Sequence, residues 1–479
     1  MPSLKKNIVY SSILTSANYI FPFLTYPYVS RVLGVTNIGI CNFIDSIINY
    51  FILFSMMGIG VIGIREIARC KGVQERNKVF SGLFVLNTLS TTIMLIVLII
   101  SIYAIPKLYE YKELMYIGAL KLVCNYLLVE WLYKGLEDFK FITIRTIIVK
   151  VAYVISVFIF IRNTNDYPIY YLLLTLMVVV NAVINILYAR KFVTFTIKDL
   201  TVYPFMKSFL ILGGYMLLTS MYTSFNVAYL GFVAGETEVG YYTTATKLYT
   251  ILLALYTAFT NVLMPRMSIL VTERKWDEFR KLLQKSIDIL LALSIPLIIL
   301  SMIMAPQIIE LISGKGYEGA IIPMRITMPL MLIIGFEQIL IIQTLMPLKE
   351  DKVILRNSSL GAIIGISMNI LLVKNLQSAG SALVWVISEL AILISAQLFL
   401  HKHYHMQFPS RLVIIRVLQN LPLVCLLYVL SRIPCHFMLS LVVTVIVTCI
   451  YSVLLQFYVI KDKVFLNQCK AIAYKLIGK

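Results

Sequence analysis

Eleven ionisable side chains stand within or near the long apolar stretches of this 479-residue chain. The bases are Arg31, Lys121, Arg145, Lys150, Lys247, Arg325 and Arg416, and the acids are Asp45, Glu130, Glu337 and Glu389. At roughly 2.5 to 3.5 kcal/mol for each charge at a helix centre, all of them facing lipid would cost about 30 kcal/mol, several times the net stability of a typical fold. Some must therefore reach an interface and the others must face water. Arg145 and Arg416 lie only a few residues inside their stretches and are expected to snorkel outward. Asp45 and Lys247 lie deeper. The excess of cations suits an anionic ligand, because a phosphate needs charge-assisted donors.

Neutral polar residues at helical spacing accompany the two deep charges. Asn42, Asp45 and Asn49 follow at i, i+3 and i+7, and Thr243, Thr246, Lys247 and Thr250 form a matching stripe. Both stripes belong to one repeat: residues 34 to 65 recur without a gap 201 positions on, so that GVTNIGICNFIDSIINYF from Gly34 answers GETEVGYYTTATKLYTIL from Gly235. The preceding stretches correspond as well, Asn18 and Thr25 matching Thr219 and Asn226, with Tyr222 and Thr223 between the latter. Two related membrane halves whose four striped helices meet around one wet cavity is the expected arrangement. The competing reading is interhelical hydrogen bonding, since Asn and Thr often join membrane helices without touching a ligand. It suits Lys247 least, because a buried ammonium is costly glue.

The elements that must position these groups are membrane helices. With 60% hydrophobic and 14% charged residues, the chain reads as an all-α integral membrane protein. Spans of about 20 residues give fourteen, near 7–33, 38–63, 80–104, 114–134, 141–161, 167–189, 204–230, 239–264, 283–304, 320–346, 353–373, 380–400, 411–431 and 435–460. The repeat divides them into an N-terminal six-helix lobe, 1–200, a C-terminal six-helix lobe, 201–400, and two further helices with a tail, 401–479. The N-terminus, the even-numbered connections and the C-terminus hold 29 Lys and Arg residues, against six in the odd-numbered connections (Lys107, Lys112, Arg162, Lys315, Lys374 and Arg432). That bias places both termini in the cytoplasm and supports an even count of spans. The net charge of +19 is then topology and contact with anionic lipid, with no nucleic acid needed.

Other features set limits. Lys5 and Lys6 precede a long segment with no small-residue cleavage site, read as a retained first helix. The stretch TERKWDEFRKLLQKSIDIL is expected to lie at the surface as an amphipathic helix before the chain turns inward. Pro22, Pro27, Pro323 and Pro329 mark helices that can bend. Gly361 and Gly365 read as close helix packing. The seven cysteines form no CxxC pair and read as small core residues. His401, His403 and His405 alternate in a connection, a spacing that argues against a metal site, and no cofactor is expected. There is no GxxxxGK[ST] phosphate loop, and the odd connections are too short to house a catalytic domain, so the chain does not read as an enzyme.

The runs RVLGVTNIGICNFIDSIINYF and MMGIGVIGIREIAR, with their second-half echo, resemble the Wzx-type oligosaccharide-lipid flippases. These belong with the MATE drug exporters and the lipid II flippase MurJ to one superfamily. The resemblance implies two six-helix lobes around a central cavity, alternating access, and an undecaprenyl-diphosphate-linked oligosaccharide as cargo. Its polysaccharide-assembly membrane proteins would be neighbours in the bacterial cytoplasmic membrane. In similar flippases basic residues on the first and eighth helices and polar or acidic ones on the second line the cavity; Arg31, Lys247 and Asn42 or Asp45 match them here. Lys121, Lys150 or Arg325 would help hold the diphosphate, and Asp45 or Glu130 would take a coupling ion. The two last helices would shape a groove for the lipid tail. Two rivals share the fold: a cation-coupled exporter of drugs, which the cationic excess disfavours, and a lipid II flippase.

Overall fold

The structure, a computed structural model, describes residues 4–196, 201–433 and 437–460. The tail expected beyond residue 460, and Cys435 and Cys469, lie outside the described residues. Among these there is no strand. Ten helical runs are long and apolar enough to cross a bilayer, or eleven if the pair Tyr203–Thr223 and Phe225–Ala234, bent by 49°, counts as one span. Two of the ten cannot be single spans. Val9–Arg69 and Asp351–Tyr404 hold 61 and 54 residues; at 1.5 Å per residue either would run about 80 to 90 Å, against about 30 Å of hydrocarbon. Each breaks at a residue with non-helical backbone, Gly34 (φ 78°, ψ 168°) and Gln377 (φ 50°, ψ −127°). Read as two spans each, and with the bent pair and the 37-residue helix Glu236–Thr272 both counted, the described residues are consistent with the fourteen expected.

The helices are inside out, which identifies bilayer as their solvent. Helix Phe139–Phe160 buries Thr143, Arg145, Thr146, Lys150 and Tyr153. On the opposite face it exposes Ile144, Ile148, Ile155 and Ile159, each 44% or more accessible. Water would reverse that pattern. Arg145 does not snorkel as expected: it is 5% exposed, and its guanidinium donates to Glu130 at 3.0 Å. A carboxylate reached through the fold satisfies it more locally than the interface could. Arg416 is half-buried and bonded to Gln419 at 3.1 Å, with Asp288 at 3.8 Å. A second correction concerns the basic stretch after residue 272. Helix Trp276–Ile303 runs unbroken, so this stretch is the first turns of the span itself, with Phe279 and Leu283 buried. His401 and His403 likewise sit on helix Lys374–Tyr404 rather than in a connection.

The chain packs as two compact units. One comprises the residues up to Thr244 with Ile312–Tyr317 and Gly361–Trp385; the other comprises Ala245–Leu311, Glu318–Leu360 and the described chain from Val386. Within the first, the internal repeat is a physical one. Gly34 and Gly235, 201 residues apart, share an unusual extended backbone with positive φ (78° and 93°), and each introduces a helix. Only glycine takes that conformation without strain. Five residues on, a Cβ on Gly39 would meet the Glu236 carbonyl oxygen at 1.8 Å, and one on Gly240 would meet that of Val35 at 2.3 Å. Thr36 bonds Thr237 at 2.9 Å, and Asn42 donates to Thr243 at 3.1 Å. Residues touch their own repeat counterparts only where two copies meet at a two-fold axis. The glycines let the backbones cross there in contact.

Candidate functional site

Three of the four striped helices converge beside this crossing. A cavity of about 390 Å³ is lined by Asn42, Asp45, Ser46, Asn49, Tyr50 and Leu53 of helix 35–56, by Ser220, Thr223, Ser224 and Val227 of the bent pair, and by Thr243. Its size lies in the usual range of small-molecule sites. The contributing positions recur every three or four residues on each helix, so the wall is a set of helical faces rather than a loop. Ser224 stands at the bend and Ser220 one turn before it, its hydroxyl bonded to the Leu217 carbonyl of its own helix.

One charge cluster stands at the wall. Lys121, from helix Lys112–Asn125, donates to Asp45 Oδ1 at 2.5 Å and to Asn49 Oδ1 at 3.1 Å. Asn49 Nδ2 donates in turn to Asp45 Oδ2 at 3.0 Å. Tyr50 donates to the Ser220 carbonyl at 2.9 Å, tying the two principal walls together. The cavity therefore offers amide, hydroxyl and carbonyl groups, one aromatic ring and one ammonium–carboxylate pair.

Of the residues singled out in the sequence, Asn42, Asp45, Asn49 and Thr243 come together here, with Lys121 bonded to two of them from outside the lining. The others take different places. Lys150 is 9% exposed and donates to Asn18 at 2.7 Å and to the Ala17 carbonyl. Thr25 and Thr219 bond carbonyls of their own helices. Tyr222 is buried where Gly365 approaches its Cβ, the close packing expected of that glycine. Asn226 is fully buried and accepts from Asn369 at 2.7 Å, a bond between helices. Arg31 is exposed and donates to the Pro27 carbonyl at 2.7 Å. Lys247 stands half-buried one turn beyond Thr243 on the same helix; Thr250 is exposed and bonds Thr246. Arg325 is exposed and donates to the Met302 carbonyl at 3.0 Å. Glu130 is shared between Arg145 and Lys134. Sequence reasoning missed Tyr50, Ser220 and Ser224. The spacing 220, 223, 224, 227 was a visible stripe, but its serines looked like ordinary helix residues.

The second compact unit carries a different kind of site. A groove of about 680 Å³ runs along helix Trp276–Ile303, with helix Phe437–Leu454 and the turn after it as its other wall. Lys281, Gln284, Lys285 and Asp288 line one end; Ile289, Ala292, Leu293, Pro296 and Leu297 continue it turn after turn, faced by Thr448, Cys449, Ser452, Val453 and Gln456. It is a polar, basic mouth leading into an apolar trough.

Comparison with known proteins places this architecture. The chain is 25% identical over 350 residues to a protein of Escherichia coli K12 named "Putative O-antigen transporter", covering 72% of this chain and 84% of that one. A protein of the same name from Shigella dysenteriae is 28% identical over 275 residues, 55% of this chain and 67% of its own. Among solved structures, the lipid II flippase MurJ in an inward closed conformation superposes with a TM-score of 0.74 at 16% identity, covering 95% of this chain and all of that one. An inward-facing multidrug resistance MATE family transporter of the MOP superfamily gives 0.62 at 17% identity, covering 82% and 97%. The fold is thus the multi-pass membrane fold of MurJ and MATE. With residues 4–271 matching the family described as "Polysaccharide biosynthesis protein", more than half of its length, the chain belongs to that family.

Proposed function

We propose that this protein is a flippase that carries an undecaprenyl-diphosphate-linked oligosaccharide from the cytoplasmic to the outer leaflet by alternating access, supplying surface polysaccharide assembly such as O-antigen, capsule or exopolysaccharide. The observation that carries the reading is the groove of the second unit. Its lysines at one end and its apolar trough beyond them fit a lipid whose head is anionic and whose tail is a long hydrocarbon. Lys281 and Lys285 stand in the first turns of helix Trp276–Ile303 and count toward the basic bias expected to face the cytoplasm, so on this reading the mouth opens where such a lipid is made. The polar cavity offers amides, hydroxyls and a tyrosine ring, the partners that sugars require. Lys121, bonded to Asp45 and Asn49 at this cavity, would meet the diphosphate, and Asp45 would answer a coupling ion. The two lobes, 1–200 and 201–400, would alternate about the crossing at Gly39 and Gly240.

The field helps such a cargo. With the cytoplasm negative, moving about two negative charges outward is downhill by roughly 4 to 5 kcal/mol per 100 mV. The names of the relatives point the same way, since O-antigen is itself a surface polysaccharide. Deleting the gene and weighing lipid-linked glycans tests the reading: a diphosphate-linked oligosaccharide should accumulate on the cytoplasmic face while its surface polymer disappears. Unchanged surface polymer together with loss of drug resistance would favour the exporter instead.

A further inference from the structure

Resting on that reading, we propose that Asp45 is a built-in surrogate for the phosphate of the cargo: it pairs with Lys121 at the cavity wall, and an anionic group of the cargo displaces it. Asp45 and Asn49 both line the cavity. Lys121 is not among the lining residues and is 15% exposed against 29% for Asp45, so the carboxylate it bonds is the member of the pair that faces the cavity. Asn49 holds both partners, accepting from Lys121 and donating to the second carboxylate oxygen, which fixes the pair on the wall. An ammonium has three donors. Asp45 Oδ1 and Asn49 Oδ1 take two of them in anionic and neutral form, the same oxygen chemistry that a diphosphate presents.

The other deep cations of this unit are bound differently. Arg145, with a side chain 3% exposed, is shut away with Glu130, and Lys150 rests on the neutral oxygens of Asn18 and Ala17. Asp45 is the acidic residue in the lining of this cavity. An ammonium left unpaired at membrane depth would be costly whenever the cavity emptied. A resident carboxylate removes that cost, because loading exchanges one charge-assisted bond for another instead of making one from nothing. It also sets a threshold. A neutral lipid cannot displace Asp45, whereas a diphosphate can, so the pair discriminates for charge and keeps the loaded state weak enough to release.

Purified full-length protein tests this with three probes: inorganic pyrophosphate, a short prenyl diphosphate and the corresponding uncharged prenol. Asp45→Asn should bind both diphosphates about tenfold more tightly or better, since the competing charge is gone, with prenol binding unchanged. Lys121→Gln should weaken diphosphate binding, and the double variant should match Lys121→Gln with no gain. If Asp45→Asn melts early, Asp45→Ser removes the same charge and reads the same quantity. Wild-type binding that the Asp45 variants leave unchanged or weaken overturns this proposal alone, as does a gain that survives in the double variant. If well-folded wild type and variants bind neither diphosphate, the cargo reading falls and this proposal with it.

Discussion

Gly39→Ala tests the two-fold crossing on which both halves of the repeat depend. The added Cβ would stand 1.8 Å from the Glu236 carbonyl oxygen, where ordinary contact begins at 3.4 Å, so the two backbones must part by about 1.5 Å. Neither obstacle is a flexible side chain. Overpacking usually costs about 1 to 3 kcal/mol, and rigid backbone on both sides puts this case near the top, at about 3 kcal/mol. Separation would also stretch the bonds Thr36–Thr237 and Asn42–Thr243, at 2.9 and 3.1 Å. Gly240→Ala, whose Cβ would meet Val35 at 2.3 Å, should behave alike. Gly214→Ala is the control: nothing lies within 4 Å of its added Cβ, and a helical Ala in place of Gly should be neutral or stabilise by up to about 1 kcal/mol. Unfolding in detergent, paired with disulfide formation between T36C and T237C, reads both effects. Equal stability of Gly39→Ala and Gly214→Ala, with undiminished cross-linking, would refute the crossing.

Further expectations follow from other contacts. Arg145→Met strands Glu130 with Lys134 alone and should cost about 2 to 3 kcal/mol in detergent unfolding, most of it recovered in Arg145→Met/Glu130→Gln, because the penalty is the orphaned charge. Asn369→Leu removes the donor to the fully buried Asn226 and should destabilise by about 1 to 3 kcal/mol, measured the same way. Ala292→Trp fills the trough of the second unit; lipid transfer in vesicles should fall sharply while the melting temperature holds. In the connection before helix Tyr167–Ala189, backbone donors from Arg162 and Asn163 lower the Asp166 pKa below its ordinary 3.8. That stabilisation is present above the ordinary value and is lost as pH falls through the lowered one, so acid unfolding below about pH 4 should shift in Asp166→Asn.

Much of the membrane architecture was legible without coordinates because it is local. Span length, the repeat from Gly34 to Gly235 and the stripe Asn42, Asp45, Asn49 depend only on order along the chain and on helical period. That counterparts of the repeat touch one another, as Thr36 and Thr237 do, came only from the structure. What order could not give was the choice of partner. Arg145 looked like a residue that reaches for the interface, yet Glu130 stands 3.0 Å away once the chain doubles back. Asn226 and Asn42 carried the same sequence signal; one joins two helices in a dry contact with Asn369, and the other lines a cavity. Asp45 could be placed at membrane depth, but its engagement by Lys121 came from a different helix. Polar residues on membrane helices must find a partner because lipid offers none. The sequence by itself determined that these groups would need a polar partner, water or an interface; only the packing of helices distant in sequence decided which of them meet one another and which line a cavity.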